Sequence, residues 1–149
     1  MKSVQLVALV IMLATPLAAN AAHHKAKAAA AAPAAMVQKV VIQVSDADPK
    51  KWALALNNAK NVQTDLGKGG SEIEIVAYGP GIGMLKTDSV EGVRVAEAMS
   101  AGIKVVACGN TMTNMKLTKE DMLPNIGYVP AGVVELIKKQ HEGYAYIRP

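Results

Sequence analysis

Short apolar runs recur along the chain and alternate with longer segments in which apolar residues follow helical spacing. The short runs are rich in β-branched residues and end at turns, which is typical of strands in a parallel sheet. We predict strands at residues 39–45, 72–78, 103–107, 126–129 and 144–147. The second begins with alternating glutamates and isoleucines, which predicts that one of its faces is less buried.

The segments between these runs predict helices. Asp48 before Pro49 indicates the start of the first helix, and Gly67 indicates its end. The apolar stripes of two later helices are Val90, Val93, Ala96 and Met99, and Val133, Val134, Leu136, Ile137 and Gln140. Residues 79–83 are expected to form a loop, and residues 110–115 a short helical turn. Such alternation predicts an α/β fold, a three-layer sandwich with a mostly parallel central sheet of about five strands.

The first 35 residues differ in composition from the rest of the chain. A lysine at position 2, an apolar run and Ala19-Asn20-Ala21 have the layout of a secretory signal peptide with a small-residue cleavage site. We predict a signal peptide at 1–21, an Ala-rich flexible tether at 22–35 and one domain at 36–149. Cleavage would leave no membrane span and would place the mature protein in a bacterial periplasm.

Most of the excess positive charge lies ahead of the domain. The chain has 16 basic and 12 acidic residues, and Lys2, Lys25 and Lys27 precede residue 36. The domain therefore carries 13 basic residues against 12 acidic ones. Aromatic residues make up 3% of the chain. Nucleic-acid binding needs a clustered basic face and stacking surfaces, so the composition argues against it.

Cys108 is the only cysteine of the chain. It follows the apolar run 103–107 and precedes Gly109-Asn110-Thr111, a turn that predicts a helix start. Ligands of α/β proteins bind at the carboxyl ends of strands, and a helix start favours a thiolate. Two interpretations stay open here, a reactive thiolate and a buried cysteine that packs as a small hydrophobe. Without a second cysteine the chain has no internal disulfide.

Three predicted strand ends meet at one edge of the sheet and define the candidate site. Cys108 is its candidate catalytic residue. The candidate pocket residues are Ser45, Asp46, Tyr78, Gly79, Gly81, Gly109, Asn110 and Thr111. Several also have a purely structural interpretation: Asp46 as a turn residue, the glycines of 79–83 as turn formers, and Asn110 as a partner of its own backbone.

Few residues are placed to assist this thiol. His141 is the only histidine of the domain and lies among charged residues near the end of the last helix, where we expect it to be solvated. No cysteine–histidine spacing indicates zinc, and residues 79–83 lack the lysine of a phosphate-binding loop, so we predict neither a metal nor a cofactor. Without an evident base or resolving cysteine, a carrier that needs only a low-pKa thiolate is favoured over a protease or disulfide isomerase.

The domain resembles the DsrE/DsrF-like family of small sulfur-relay proteins from about Lys39 to Pro149. The segments that carry the resemblance are VVIQVSDADPKKWALALNNAKN, EIVAYGPGIGML, GIKVVACGNTM and PAGVVELIKKQHEGYAYIRP. The resemblance implies a compact α/β fold with a central parallel sheet and assembly into trimers or hexamers. It also implies that Cys108 accepts sulfane sulfur as a persulfide and passes it to a partner.

These observations lead to two hypotheses. The first is an exported sulfur carrier with protein donors and acceptors of sulfur, at most sulfurtransferase-like as an enzyme. The second is a non-catalytic oligomeric module that binds a small ligand at the same edge, with Cys108 merely packed. A carrier needs an accessible thiol of depressed pKa, and a binding module does not. A transferase with turnover of its own would need a base that the sequence does not offer.

Overall fold

The computed structural model describes residues 36–149 of the chain. The predicted signal peptide and Ala-rich tether, residues 1–35, lie outside the described residues. The strands of the described part are β1 Gln38–Val44, β2 Ser71–Ala77, β3 Lys104–Cys108, β4 Gly127–Val129 and β5 Ala145–Ile147. Its α-helices are α1 Pro49–Leu66, α2 Gly92–Ser100, α3 Gly109–Asn114 and α4 Gly132–His141, and 3₁₀ helices span Gly79–Leu85 and Lys119–Asp121.

The five strands form one sheet in the order β4-β3-β2-β1-β5, and every neighbouring pair is parallel. This confirms the predicted α/β fold with helices flanking a five-stranded parallel sheet. Because all strands run in one direction, their carboxyl ends meet at the same edge. Cys108 is the last residue of β3 and lies at that edge.

The ends of α1 are set by local signals, as predicted. The Asp48 side chain accepts a hydrogen bond of 2.9 Å from the Lys50 N–H, and Pro49 is the first helical residue. Gly67 follows the helix at a φ of 76°, a conformation that favours glycine. These caps fix the length of α1, and with it the position of the turn that returns the chain to β2.

One face of the sheet, here called the α1–α2 face, carries most of the apolar core. Its strand side chains include Ile42, Ile75 and Ala107, none of which is exposed to solvent. They pack against apolar side chains of α1, of the first 3₁₀ helix and of α2: Trp52, Ala55, Leu56, Ala59, Met84, Leu85 and Val95. This layer fixes β3, and therefore Cys108, in place.

The opposite face, here called the α4 face, has a smaller apolar cluster. Its buried members are Val41, Val76, Val106, Leu136 and Tyr144. Leu136 is the only apolar side chain that α4 adds to this cluster. A buried glutamate of β2, Glu74, and a buried lysine of α4, Lys139, lie next to it. The two faces of the sheet therefore differ in what holds their helices.

Three expectations about burial were wrong. Val95, rather than the exposed Val90 and Val93, is the buried residue of α2. Likewise α4 buries Leu136 and Lys139, while Val133, Val134 and Ile137 of its apolar stripe are exposed. Both helices carry apolar residues on more than one side, so helical spacing did not identify the inner face. Glu74, predicted on a less buried strand face, is 3% exposed because α4 covers it.

The segment expected to be a loop at residues 79–83 is instead part of a 3₁₀ helix, Gly79–Leu85. Its residues Ile82, Met84 and Leu85 are buried in the core. Within residues 36–149, no helix has the length and apolar character needed to cross a membrane.

Candidate functional site

Cys108 lies where β3 ends and α3 begins. Its Sγ accepts a hydrogen bond of 3.4 Å from the backbone N–H of Thr111, so the cysteine caps the helix that follows it. Side chains that cap helices normally bear oxygen. A sulfur at the cap position is held toward the N–H groups of the first helical turn, which have no partner within the helix. The side chain is 5% exposed.

A second helix begins beside the same sulfur. Gly132, the first residue of α4, packs against Tyr78 so closely that a Cβ on it would lie 2.8 Å from the Tyr78 Cβ. Only a residue without a side chain lets α4 begin at this position. The backbone N–H of Gly132 is thereby one of the groups that lower the pKa of the Cys108 thiol.

These neighbours shift the pKa of the thiol. Burial is the largest single influence and by itself raises the pKa of Cys108. Hydrogen bonds from the Thr111 hydroxyl and from the backbone N–H groups of Gly132, Thr111 and Asn110 together outweigh it, so the pKa lies below its ordinary value. The thiolate is the nucleophilic form of cysteine, so the site favours the reactive state.

The Thr111 hydroxyl links the sulfur to the predicted glycine segment. Its Oγ1 accepts a hydrogen bond of 2.9 Å from the Gly79 N–H, which leaves its proton free to point toward Cys108. Gly79 has a φ of 52°, in the region that favours glycine. The structure thus brings together four of the predicted residues, Cys108, Thr111, Gly79 and, through Gly132, Tyr78.

Ser45 and Asp46 are tied into the turn after β1. The Ser45 Oγ accepts a hydrogen bond of 2.8 Å from the Gln43 side chain. Asp46 forms an ion pair of 3.1 Å with Lys51, and its carbonyl accepts a hydrogen bond from the Trp52 indole. These contacts agree with the structural interpretation of Asp46 as a turn residue.

Tyr78 stands between this turn and the start of α4. Burial, followed by the neighbouring Tyr146, raises the pKa of the Tyr78 phenol. Arg148 and a hydrogen bond with Ser45 act in the opposite direction without cancelling the rise. Tyr78 therefore keeps its proton and can serve as a hydrogen-bond donor at this edge.

The remaining predicted residues have mainly backbone roles. A Cβ on Gly81 would lie 2.3 Å from the Val44 carbonyl oxygen, so this glycine permits close packing of the 3₁₀ helix on β1. A Cβ on Gly109 would lie 3.3 Å from the Val129 carbonyl oxygen, and the Asn110 N–H donates to the Pro130 carbonyl at 3.0 Å. The Asn110 side chain is exposed.

The start of α4 was missed as part of the site. The signal for it was the Pro130-Ala131-Gly132 sequence directly after β4, which is a strand end followed by a helix start. Because β4 pairs in parallel with β3, its carboxyl end lies at the same edge as Cys108. The same argument that placed Cys108 there would have placed Gly132 beside it.

The residues described offer no base or metal site for the thiol. His141 lies at the far end of α4 from Gly132, roughly 13 Å along the helix axis. Within residues 36–149 no group of three or more histidine, cysteine, aspartate or glutamate side chains is arranged to hold a metal ion. A groove of about 300 Å³ between α1 and α2 contains none of the predicted site residues.

A known protein family matches nearly the whole chain. The family model of the DsrE/DsrF-like family matches residues 7–149, and the chain belongs to this family. The family is generally linked to sulfur relay. No functionally curated protein matches the chain.

Two solved structures have the same fold. One is a protein of unknown function from Methanobacterium thermoautotrophicum, 33% identical, with a TM-score of 0.72 over 75% of this chain and 99% of that one. The other is a conserved protein of unknown function from Bacteroides thetaiotaomicron, 17% identical, with a TM-score of 0.60 over 75% of this chain and 95% of that one. The second likeness concerns the fold alone.

Proposed function

We propose that this protein carries sulfane sulfur as a persulfide on Cys108. The observation that supports this most is the set of neutral donors that converge on the sulfur from two helix starts and lower the pKa of the thiol. A nucleophile activated in this way needs no base. A carrier also needs no turnover machinery, which fits the absence of a base or resolving cysteine among residues 36–149.

The transfer step is a thiol–persulfide exchange. The Cys108 thiolate attacks the outer sulfur of a donor persulfide, a new S–S bond forms at Cys108, and the donor's own S–S bond breaks. The donor leaves as a thiolate with the electron pair of the broken bond, so the exchange involves no net oxidation. Delivery to an acceptor thiolate is the same reaction in reverse. The N–H groups around Cys108 then stabilise the persulfide anion as they stabilise the thiolate.

One observation favours the second hypothesis, a small-ligand binding module in which Cys108 is packed. The Cys108 side chain is 5% exposed, which is typical of a cysteine that serves as a small hydrophobe. In that case the same edge, between Tyr78, Thr111 and Gly132, would hold a small anion or organic ligand. Accessibility of the thiol in solution separates the two functions.

The deciding experiment is sulfur loading followed by intact-mass analysis. The purified protein is incubated with polysulfide or with a low-molecular-weight persulfide, thiols are blocked, and the mass is recorded beside that of Cys108→Ser. We expect one added sulfur on the wild type, none on the variant, and loss of that sulfur to an added acceptor thiol. A folded wild type whose mass does not change and whose thiol resists alkylation would favour the binding module.

We also propose that the chain assembles as a trimer or hexamer. Both outer strands of the sheet, β4 and β5, are only three residues long, and each carries a partly exposed tyrosine, Tyr128 and Tyr146. Short strands with unpaired backbone groups are edges that another copy can cover. Light scattering on the purified domain tests this proposal, and a stable monomer at high concentration would contradict it.

Export to the periplasm is a further proposal, supported by the layout of residues 1–21. The full-length chain is expected to be shortened near Ala21 when it is expressed in a bacterium with a periplasm. N-terminal sequencing of the protein recovered from the periplasmic fraction tests this. Recovery of the unshortened chain from the cytoplasm would contradict it.

A further inference from the structure

A carrier must bring its sulfur to a partner, yet Cys108 is 5% exposed. The first turn of α4 lies beside it, since Gly132 packs on Tyr78 and its N–H is one of the groups that lower the pKa of the thiol. The question raised by the proposed function is therefore how firmly α4 is held. The biological purpose of an opening at α4 rests on the proposed carrier function, whereas the opening itself does not.

Apolar contacts hold α4 weakly. Of its large apolar side chains only Leu136 is buried, whereas Val133, Val134 and Ile137 are 54%, 58% and 49% exposed. Elements with few buried apolar contacts open at lower free energy than the core does. The helix is thus a candidate for local opening while the rest of the fold stays intact.

A charged layer lies beneath the second half of α4. The Lys139 Nζ, on a residue 8% exposed, lies 3.5 Å from Glu74 of β2, 3.8 Å from Glu135 and 3.2 Å from Glu142. It also lies 4.8 Å from the centre of the Tyr144 ring. Buried ion pairs recover little of the cost of desolvating their charges, so this layer adds little net stability to the docking of α4.

Glu74 is the least satisfied member of the layer. Its Oε1 is buried and has no hydrogen-bond partner. The charged groups that act on it are Lys139 and Glu135 of α4 and Lys104 of β3. Burial is the largest influence, and with the neighbouring Glu135 it raises the pKa of Glu74 in spite of the lysines. Other titratable groups around the layer are Glu142, Tyr144, Glu72 and Lys39, whose Nζ lies 5.5 Å from the centre of the Tyr144 ring.

We propose that α4 is a cover over Cys108 and that its docking depends on a proton held by Glu74. With the proton bound, the buried carboxyl is neutral and α4 lies closed over the thiol. When the proton leaves, a carboxylate with an unpartnered oxygen stays beneath the helix, and α4 opens more often because opening hydrates it. Each opening lifts the Gly132 N–H from the sulfur and exposes Cys108 to a partner.

The direction of the pH effect follows from linkage. The closed state binds the Glu74 proton more tightly than the open state, in which the carboxyl is hydrated. Closure is therefore strongest below the ordinary pKa of a glutamate and weakens as the pH rises through the raised pKa of Glu74. Each unit of difference between the two pKa values changes the closed-to-open ratio about tenfold.

Hydrogen exchange of the α4 amides tests the cover. Protection factors, which remove the intrinsic pH dependence of exchange, are measured for residues 132–141 in the wild type, Glu74→Gln and Glu97→Gln. Glutamine mimics the protonated carboxyl, so Glu74→Gln is expected to keep high α4 protection at every pH. The wild type is expected to lose protection as the pH rises, and so is the control at Glu97, an exposed position on α2.

Repeating the measurement with Cys108→Ser removes any contribution from ionisation of the thiol. Glu135→Gln is a second variant in case Glu74→Gln does not fold, and it is expected to shift the loss of protection to lower pH because a like charge is gone. Protection that does not change with pH in the wild type would overturn the proposal. So would an identical pH dependence in the wild type and in Glu74→Gln.

The result is independent of sulfur loading. If the protein takes up no sulfur but loses α4 protection in a Glu74-dependent way, the proposed cover is supported and the carrier function is contradicted. If the protein loads sulfur on Cys108 while α4 protection stays constant with pH, the carrier function is supported and the proposed cover is contradicted. The two proposals therefore fail separately.

Discussion

The two faces of the sheet are packed by different kinds of side chain. On the α1–α2 face, side chains such as Ile42 and Ile75 are fully buried within a broad apolar layer. On the α4 face, one leucine and a set of buried charges hold a helix whose other large apolar side chains are exposed. Yet it is α4 that brings an N–H to the Cys108 sulfur.

The two faces have different effects on Cys108: one fixes the position of its sulfur, and the other influences its pKa. The apolar layer fixes β3 and its last residue, so the position of the sulfur does not depend on α4. The weaker face supplies one of the groups that set the pKa of that sulfur. A change on the first face should therefore alter stability alone, whereas a change on the second should also alter the thiol.

The largest expected loss of stability follows truncation of a buried apolar side chain, and it should differ between the two faces. We expect Ile75→Ala on the α1–α2 face to lower the free energy of unfolding by about 4 kcal/mol, and Leu136→Ala on the α4 face by about 2 kcal/mol. The smaller loss follows because α4 can move to fill part of the cavity. Denaturant unfolding of both variants measures this. Equal losses would mean that the two faces are equally rigid.

Removal of the buried lysine comes next in size. At a pH above the raised pKa of Glu74, where its carboxyl is ionised, Lys139→Met should lower the free energy of unfolding by about 3 kcal/mol, because Glu74 and Glu135 are left without their cation. The matched control is the double variant Glu74→Leu/Lys139→Met, in which both charges leave and the loss should shrink to about 1 kcal/mol or less. A double variant as unstable as the single one would show that the charged layer is not the cause.

A methyl group at the start of α4 should have a middle-sized effect. Gly132→Ala places a Cβ 2.8 Å from Tyr78 and should cost about 1–3 kcal/mol while raising the pKa of Cys108. Gly69→Ala is the control, since a Cβ there meets no atom within 4 Å. The two quantities are measured by unfolding and by the pH dependence of Cys108 alkylation. An unchanged pKa of Cys108 in Gly132→Ala would contradict the role of the Gly132 N–H in the site.

Loss of the Thr111 hydroxyl should have the smallest effect on stability but should clearly change the pKa of the Cys108 thiol. Thr111→Val removes the hydroxyl that donates to Cys108 and accepts from Gly79, so the pKa of Cys108 should rise while stability falls by about 1 kcal/mol. Thr111→Ser should restore the pKa. Thr113→Val, at an exposed position of the same helix, should leave both quantities unchanged. An equal rise in the Thr113 variant would contradict the role of Thr111.

Much of the fold follows from local patterns. Apolar runs and caps predicted the strands, α1 and the parallel sheet, because these signals act between residues close in sequence. Parallel strands then implied that Cys108, Tyr78 and Gly79 lie at one edge. The role of those residues in binding or catalysis stays a prediction.

The α4 face could not be predicted in the same way. The burial of Lys139 depends on Glu74, which lies far away in sequence, and the pattern of α4 alone favours the wrong face. The 3₁₀ helix at 79–85 was missed because its glycines are typical of a loop. They are required instead by close approach to β1, as at Gly81.

The donors that lower the pKa of Cys108 most are uncharged, and this affects how the thiol responds to solution conditions. Its pKa is set by burial and by hydrogen bonds from backbone N–H groups and one hydroxyl. A thiolate stabilised by an imidazolium loses its partner when that partner deprotonates, and salt screens the pair. Here the donors do not titrate, so thiolate formation at a closed site should follow a single ionisation that changes little with ionic strength.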